Sequence, residues 1–420
     1  MQRSQVVDAY TATTQPRTRM FDRWLAAWLQ RVIEPAAVRL ELWDGSSPYS
    51  GSQTPIGSVL LHDRRALIGL LLDPDLWFGE AYTAGRLEVR GDLETVIETL
   101  NRLTLGPPTL LERLRSALER PNSLRNARRN VHHHYDLGNA FYQQWLDADL
   151  VYTCAYFERP EMTLEAAQHA KFDLVCRKLR LQPDESVIEA GCGWGTLALH
   201  MARRYGVRVK AFNISREQLA YARDRAQREG LSDRVEFIDD DYRNVQGKYD
   251  AFVSVGMLEH VGLRHYDSLA DVLRRVVRRS GRGLLHFIGR DAPRPLNAWI
   301  RRRIFPGGYA PTLAEVANRV LMPACMSIVD VENLRLHYAR TLAHWRERFA
   351  QVEENVRAQY GASFQRAWEL YLAGSQAAFS TGGMQLFQIV FVPSGTTSPY
   401  WARGEMYASS GDAEPSLPRT

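Results

Sequence analysis

VIEAGCGWGTLALH, from Val187 to His200, is the stretch that decides the fold. An apolar run ends in three alternating glycines, Gly191, Gly193 and Gly195, and passes at once into a helix-like pattern. A buried strand handed to a helix through a glycine turn lets backbone approach a ligand at the strand's carboxyl end. The same turn also serves as a plain tight connection, so its chemistry is read from what surrounds it. The spacing is G-x-G-x-G rather than the G-x-G-x-x-G of dinucleotide folds, and no Lys-Ser/Thr follows to grip a phosphate. An uncharged ribose fits such a turn better than a phosphate does. Glu189, just before the glycines, suits the positive end of an amino-acid moiety. S-adenosylmethionine, adenosine joined to a sulfonium-bearing methionine, has both features.

Outward from that turn, strands and helices alternate from Asp184, the pattern of a parallel sheet wrapped by helices. Strands are expected at Ser186–Ala190, Val207–Asn213, Val235–Ile238, Ala251–Val255 and Gly283–Ile288. Ser215 and Gln218 of "SREQ" form a capping box that starts the helix after the second strand. That strand's end offers Asn213 and Gln218 to a cofactor. The third offers "DDDYRN", where Asp241 and Tyr242 suit adenine through a hydrogen bond and stacking. Three successive strand ends with fitting chemistry point to a methyltransferase. The chain from about Ile328 to Ser380 reads as helical, and Met384–Val392 as a last strand.

Upstream, residues 1–19 read as disordered. Residues 20–110 read as a small α+β unit: a helix from Met20 to about Val38, a turn-rich loop, and a helix capped by Asp63 and ended by Pro74. A short alternating run at Leu87 and Val89 then precedes a helix capped by Asp92. Residues 111–131 form an arginine-rich linker in which Leu111–Asn130 carries six arginines against two glutamates. The tail, 394–420, has disordered composition.

The net charge is +5, with further arginine clusters at Val272–Ser280 and Arg301–Arg303. Such patches attract nucleic acid or an anionic lipid surface. A nucleic-acid methyltransferase would carry an acceptor motif such as N/D-P-P-Y after the fourth strand, and "GMLEH" stands there instead. No nucleic-acid partner is expected. No apolar run approaches membrane-spanning length and no signal peptide is recognisable. The four cysteines, Cys154, Cys176, Cys192 and Cys325, are scattered, which fits a reducing cytosol. The run His132–His134 has no carboxylate at ligand spacing, so no metal is expected.

The motifs "HYDLGN", "CAYF", "GCGWG", "GMLEHVG", "IFPGG" and "QLFQIVF" together make the chain resemble the cyclopropane fatty acid synthase family, which includes the mycolic acid cyclopropane synthases. The resemblance covers roughly 130–393, and more faintly the N-terminal unit. It implies a Rossmann-like, S-adenosylmethionine-dependent methyltransferase domain over 132–393: a mostly parallel, seven-stranded α/β sheet with helices on both faces. A lipid-binding-like α+β domain precedes it. Members transfer a methyl from S-adenosylmethionine to a cis double bond of a lipid acyl chain. A carbocation then loses a proton to a bound bicarbonate, and the ring closes. Proton loss elsewhere gives methylene chains and hydride addition gives methyl-branched ones; related enzymes methylate small amines or phenols.

Carried over by motif, the bicarbonate pocket would comprise Cys154, Glu259, His286, Ile288 and Tyr338. Tyr338 O–H and the His286 ring would donate to the anion, and Glu259 would accept its O–H. A buried Cys154 is also readable as a small hydrophobe. Cofactor contacts would come from Tyr152, Thr153, Glu189, Gly191, Gly193, Asn213, Gln218, Asp241 and Tyr242, with Cys192 and Gly195 completing the turn. His133–Asp136 would belong to the cofactor lid. The resemblance further implies unsaturated phospholipid acyl chains as substrate and a homodimer, and the arginine patches would hold a cytoplasmic enzyme peripherally on an anionic membrane.

Overall fold

A computed structural model describes residues 17–104 and 137–407. The N-terminal part begins with helix Met20–Ile33 and continues into a three-stranded sheet, β1 (Val38–Glu41), β2 (Gly57–Leu61) and β3 (Leu87–Arg90). β1 and β2 pair in parallel, β2 and β3 antiparallel. The first two strands differ from the sequence reading. Pro35 sits in a tight turn over Glu34–Ala36, Ala37 adopts a φ of 50°, and the chain leaves extended. Asp63 caps Arg64–Leu72 by accepting from the Ala66 N–H at 2.8 Å. Pro74, expected to end that helix, instead opens the next one, Pro74–Thr83, behind the Asp73 cap. Proline's fixed φ suits the first helical position, where no N–H is needed. Asp92 accepts from the Thr95 N–H at 2.8 Å and so begins Leu93–Thr104.

Among the described residues, a second sheet holds seven strands: β4 (Ser186–Ala190), β5 (Arg208–Asn213), β6 (Val235–Asp239), β7 (Tyr249–Val255), β8 (Val277–Gly289), β9 (Met326–Asn333) and β10 (Gln385–Pro393). Their order is β6-β5-β4-β7-β8-β10-β9. Pairing is parallel from β6 to β8, and β10 enters antiparallel between β8 and β9. The chain runs outward from β4 through β5 to β6, then returns to place β7 on the other side of β4. The crevice between the carboxyl ends of β4 and β7 is therefore the switch point where open α/β sheets take ligands.

β9 lies where the sequence reading expects helix. It is an edge strand, so its pattern MSIVDVEN is half polar, and Asp330 and Glu332 disguise the β-branched run. The helix starts only at Arg335 and runs to Tyr360, followed by Ala362–Thr381. The tail also departs from expectation over its described part. Tyr400 and Met406 are buried, the Tyr400 O–H donates to the Arg177 carbonyl at 2.9 Å, and Arg403 pairs with Asp330 at 2.6 Å. A polar average conceals a few anchoring side chains. The expected linker, 111–131, and the His132–Asp136 run lie outside the described residues.

One apolar core runs through both parts, from Val38, Leu40 and Leu67 to Trp145, Trp345 and Trp368. At the seam Gly79 lies flat against the Trp299 indole, and Glu80 pairs with Arg302 at 3.5 Å and with Arg303 at 3.0 Å. Arg366 donates to the carbonyls of Tyr82 and Leu87 at 2.6 and 2.8 Å. A Cβ on Gly79 would come within 2.2 Å of the Trp299 ring. Gly79→Ala gains about 1 kcal/mol of helix propensity but overpacks the seam at a cost of about 1–3 kcal/mol. Calorimetry should show a lower melting temperature for Gly79→Ala; an unchanged or higher one would mean the indole moves freely.

Candidate active site

Two cavities meet at the carboxyl ends of the strands. The first, of about 180 Å³, is lined by Glu189, Gly191, Cys192 and Gly193 after β4, by Asn213 and Gln218 after β5, and by Asp241 and Tyr242 after β6. Gly191 turns at a φ of 82°, and a Cβ there would press to 3.0 Å from Met257. Gly195 does not line the cavity. It stands behind the turn, where a Cβ would meet Phe237 at 2.6 Å, so its task is to let helix Thr196–Tyr205 close onto the sheet. The Asn213 amide donates to Gly193 O at 3.1 Å and to Gln218 Oε1 at 2.9 Å, while its oxygen accepts from the N–H groups of Ile214 and Ser215. Asn213 thus shapes the glycine loop and orients Gln218. The Asp241 carboxylate is held by Arg243 through bonds of 2.7 and 2.8 Å. The Tyr242 hydroxyl is buried without a hydrogen-bond partner among the described residues.

Lys171, on helix Leu164–Lys178, is a member of this cavity that sequence reasoning missed. It is fully buried, donates to Thr153 Oγ1 at 3.0 Å and sits 4.3 Å over the Phe172 ring. Burial lowers its pKa to about 8. Glu189 is buried too, with Oε2 unpartnered; burial pushes it up to about 8 against the pull of Lys171. An unpaired buried carboxylate and a buried ammonium beside a glycine turn fit the ammonium and carboxylate of an amino-acid ligand. Glu189 and Lys171 would hold that end of S-adenosylmethionine, and the cofactor would supply an electrophilic methyl.

The second cavity, of about 590 Å³, brings together all five residues expected around the base: Cys154, Glu259, His286, Ile288 and Tyr338. Leu29, Ile33, Leu40, Val59, Leu70 and Phe78 of the N-terminal part line it as well. Tyr152, Thr153, Gly256 and His260 face both cavities. His260, not anticipated from sequence, is kept neutral by burial, with a pKa of about 4. Cys154 is likewise a neutral thiol, its pKa pushed up by burial. The Ile288 N–H is already taken, because it donates to Glu259 Oε1. Glu259 Oε2 is left buried and unpartnered, and burial raises this carboxyl to about 7.

His286 is fixed from behind. Lys178 Nζ, buried against Asp330 and Glu332, donates to Gln388 Oε1 at 2.9 Å. The Gln388 amide therefore turns its NH₂ to His286 Nδ1 at 3.0 Å. With Nδ1 accepting, the neutral ring carries its proton on Nε2. Burial holds the His286 pKa well below its ordinary value, and Nε2 has no partner among the described residues. A donor at His286 and an acceptor at Glu259 thus line one cavity. That pair suits a small species that both accepts and donates hydrogen bonds.

A glycine-turn cleft at the sheet's switch point, sharing a wall with a larger cavity, is the arrangement of an S-adenosylmethionine-dependent methyltransferase. Residues 122–389 match the family described as mycolic acid cyclopropane synthetase, and the chain belongs to that family. Residues 25–104 match a domain of unknown function. A probable fatty acid methyltransferase of Pseudomonas putida is 38% identical over 88% of this chain and 96% of its own. The cyclopropane-fatty-acyl-phospholipid synthase of Escherichia coli K12 is 38% identical over 61% of this chain and 66% of its own. The cyclopropane synthase MmaA2 of Mycobacterium tuberculosis superposes with a TM-score of 0.60 at 29% identity, over 63% of this chain and 97% of that one.

Two outcomes follow from the geometry. An ammonium beside Glu189 favours its ionised form, and a carboxylate beside Lys171 favours its charged form. At about pH 7.5 Glu189 is mostly protonated and Lys171 mostly charged, so cofactor binding should give a net release of protons. Titration calorimetry in buffers of different ionisation enthalpy reads this directly, and Glu189→Gln should abolish it. Nitrogen-15 spectra should show His286 protonated at Nε2 only. Gln388→Leu should mix the tautomers and lower kcat about tenfold or more, with cofactor affinity unchanged.

Proposed function

We propose that the protein transfers the methyl of S-adenosylmethionine to a cis double bond of an unsaturated phospholipid acyl chain and closes a cyclopropane ring, with bicarbonate as the base. The carrying observation is the wall of Tyr152, Thr153, Gly256 and His260 common to the cofactor cleft and the apolar cavity. An alkene is a weak nucleophile, so its carbons must be held in near-attack contact with the methyl. The new C–C bond forms as the C–S bond breaks, which leaves the positive charge on the neighbouring chain carbon. Loss of a proton from the added methyl supplies the electron pair that closes the ring. His286 Nε2–H and Glu259 Oε2 would hold the anion that takes that proton.

The name of the Pseudomonas putida relative favours a second reading, in which the same cation loses a different proton to leave a methylene chain, which a separate hydride-donating reductase would convert to a methyl branch. Either substrate lies in a bilayer, and the proposal accordingly places the protein peripherally on a cytoplasmic membrane face, as a homodimer. No helix among the described residues is long and apolar enough to cross a membrane.

Mass spectrometry of fatty acids from unsaturated phospholipid vesicles, after incubation with protein, cofactor and bicarbonate, tests the proposal. A gain of one CH₂ with no remaining hydrogenation-sensitive bond is the expected product; a gain that still hydrogenates means methylene. Glu259 must be ionised to accept the bicarbonate O–H, so turnover should rise with pH through about 7. Glu259→Gln should remove that limb and cut kcat about 100-fold or more while leaving the cofactor Kd unchanged.

A further inference from the structure

Of the arginines in the two clusters among the described residues, several already have partners at the protein surface. Arg274 pairs with Asp271, Arg278 with Asp250 and Arg303 with Glu80, while Arg275 donates to the carbonyls of Arg243 and Val245. Helix Met20–Ile33 presents a different surface. Phe21, Trp24, Trp28 and Val32 recur at three- and four-residue spacing and are 61, 64, 51 and 53% exposed. Phe21 and Trp24 stack at 6.1 Å. On its inner face Leu25 and Leu29 pack on the core and Leu29 and Ile33 line the large cavity, while buried Asp22 pairs with Arg64 and buried Gln30 bonds the backbone of β1. A surface helix normally carries polar residues on its outer side. Here the exposed arginines Arg17, Arg19 and Arg31 flank the aromatic stripe. The next helix, Arg64–Leu72, adds exposed Ile68 and Leu72 and also reaches the cavity, through Leu70.

We infer that the outward face of helix Met20–Ile33 docks on the interface of an anionic lipid bilayer and sets the large cavity against the membrane. Tryptophan is at home at the headgroup level, where its ring is part apolar and part wet. The flanking arginines meet anionic headgroups. One helix then serves both sides: its outer residues enter the bilayer surface and its inner residues line the path for the acyl chain. This inference rests on the acyl-chain reading of the cavity.

The test uses the full chain and the triple variant Phe21→Ser, Trp24→Ser, Trp28→Ser, none of which lines either cavity. Flotation with vesicles of unsaturated phosphatidylethanolamine and phosphatidylglycerol should carry the unaltered protein, and the triple variant should partition about tenfold more weakly or worse. Turnover of a monomeric short-chain unsaturated phospholipid should be equal for the two. Equal flotation overturns the inference, as does an unaltered protein that stays off vesicles. If light scattering shows that the variant converts a dimer to a monomer, the stripe belongs to a second copy and the inference is again overturned. Absence of a CH₂ gain on the monomeric lipid with the unaltered protein instead sinks the acyl-chain reading, whatever the flotation shows.

Discussion

A methyl group passes only between atoms in contact, and the wall common to both cavities is the place the rest of the structure serves. Tyr152 and Thr153 form one side of it, Gly256 and His260 the other. The first side hangs on helix Leu164–Lys178, where Gln168 Nε2 donates to Thr153 O at 2.9 Å and Lys171 holds its hydroxyl. Across from it, the Tyr152 hydroxyl meets that of Tyr371 at 2.7 Å, tying the wall to the C-terminal helices. The second side follows β7, pinned to β8 through the Gly256 N–H and the His286 carbonyl at 2.9 Å. Sheet register thereby sets the distance between cofactor cleft and acyl cavity, and side-chain choice alone could not.

The electrostatics divide by cavity. Around the glycine turn, buried Glu189 and Lys171 would face the zwitterionic end of the cofactor. Around the acyl cavity, burial drives Cys154, His260 and His286 to their neutral forms, and aromatic rings such as Tyr338 and Phe305 line the remaining space. Ring faces stabilise positive charge without the hydration shell that would quench a carbocation. The buried charge behind His286, Lys178, is kept one residue back, beyond Gln388, among Asp330 and Glu332. Removing one partner of such a buried group costs about 3–5 kcal/mol, so the prop behind His286 is also a structural fixture.

What the sequence made legible was local. The glycine turn is a backbone constraint that three residues announce, and the Asp63, Asp92 and Ser215 caps announce themselves in the same way. Glu259, His286 and Tyr338 are far apart in the chain and came forward only through the family resemblance; the fold puts them in one cavity. Lys171 and Gln388 were missed because no motif marks them. A clue existed for the first: Ala167, Gln168, Lys171, Phe172 and Val175 are all buried on one stripe of a helix, and a lysine within an apolar stripe calls for a reason. For Gln388 the partner sits 102 residues earlier, and only strand pairing reveals it. β1, β2 and β9 escaped because short or edge strands lack a full alternating pattern.

Strand β10 comes near the end of the chain, after two long helices, yet it is inserted between β8 and β9 and carries the glutamine that orients His286. A polypeptide ending at Thr381 would lack β10, leaving β8 without its antiparallel partner and the imidazole without its prop. The flank of β8 left open in this way would be free to pair with other chains, so the last strand both props the imidazole and closes the sheet.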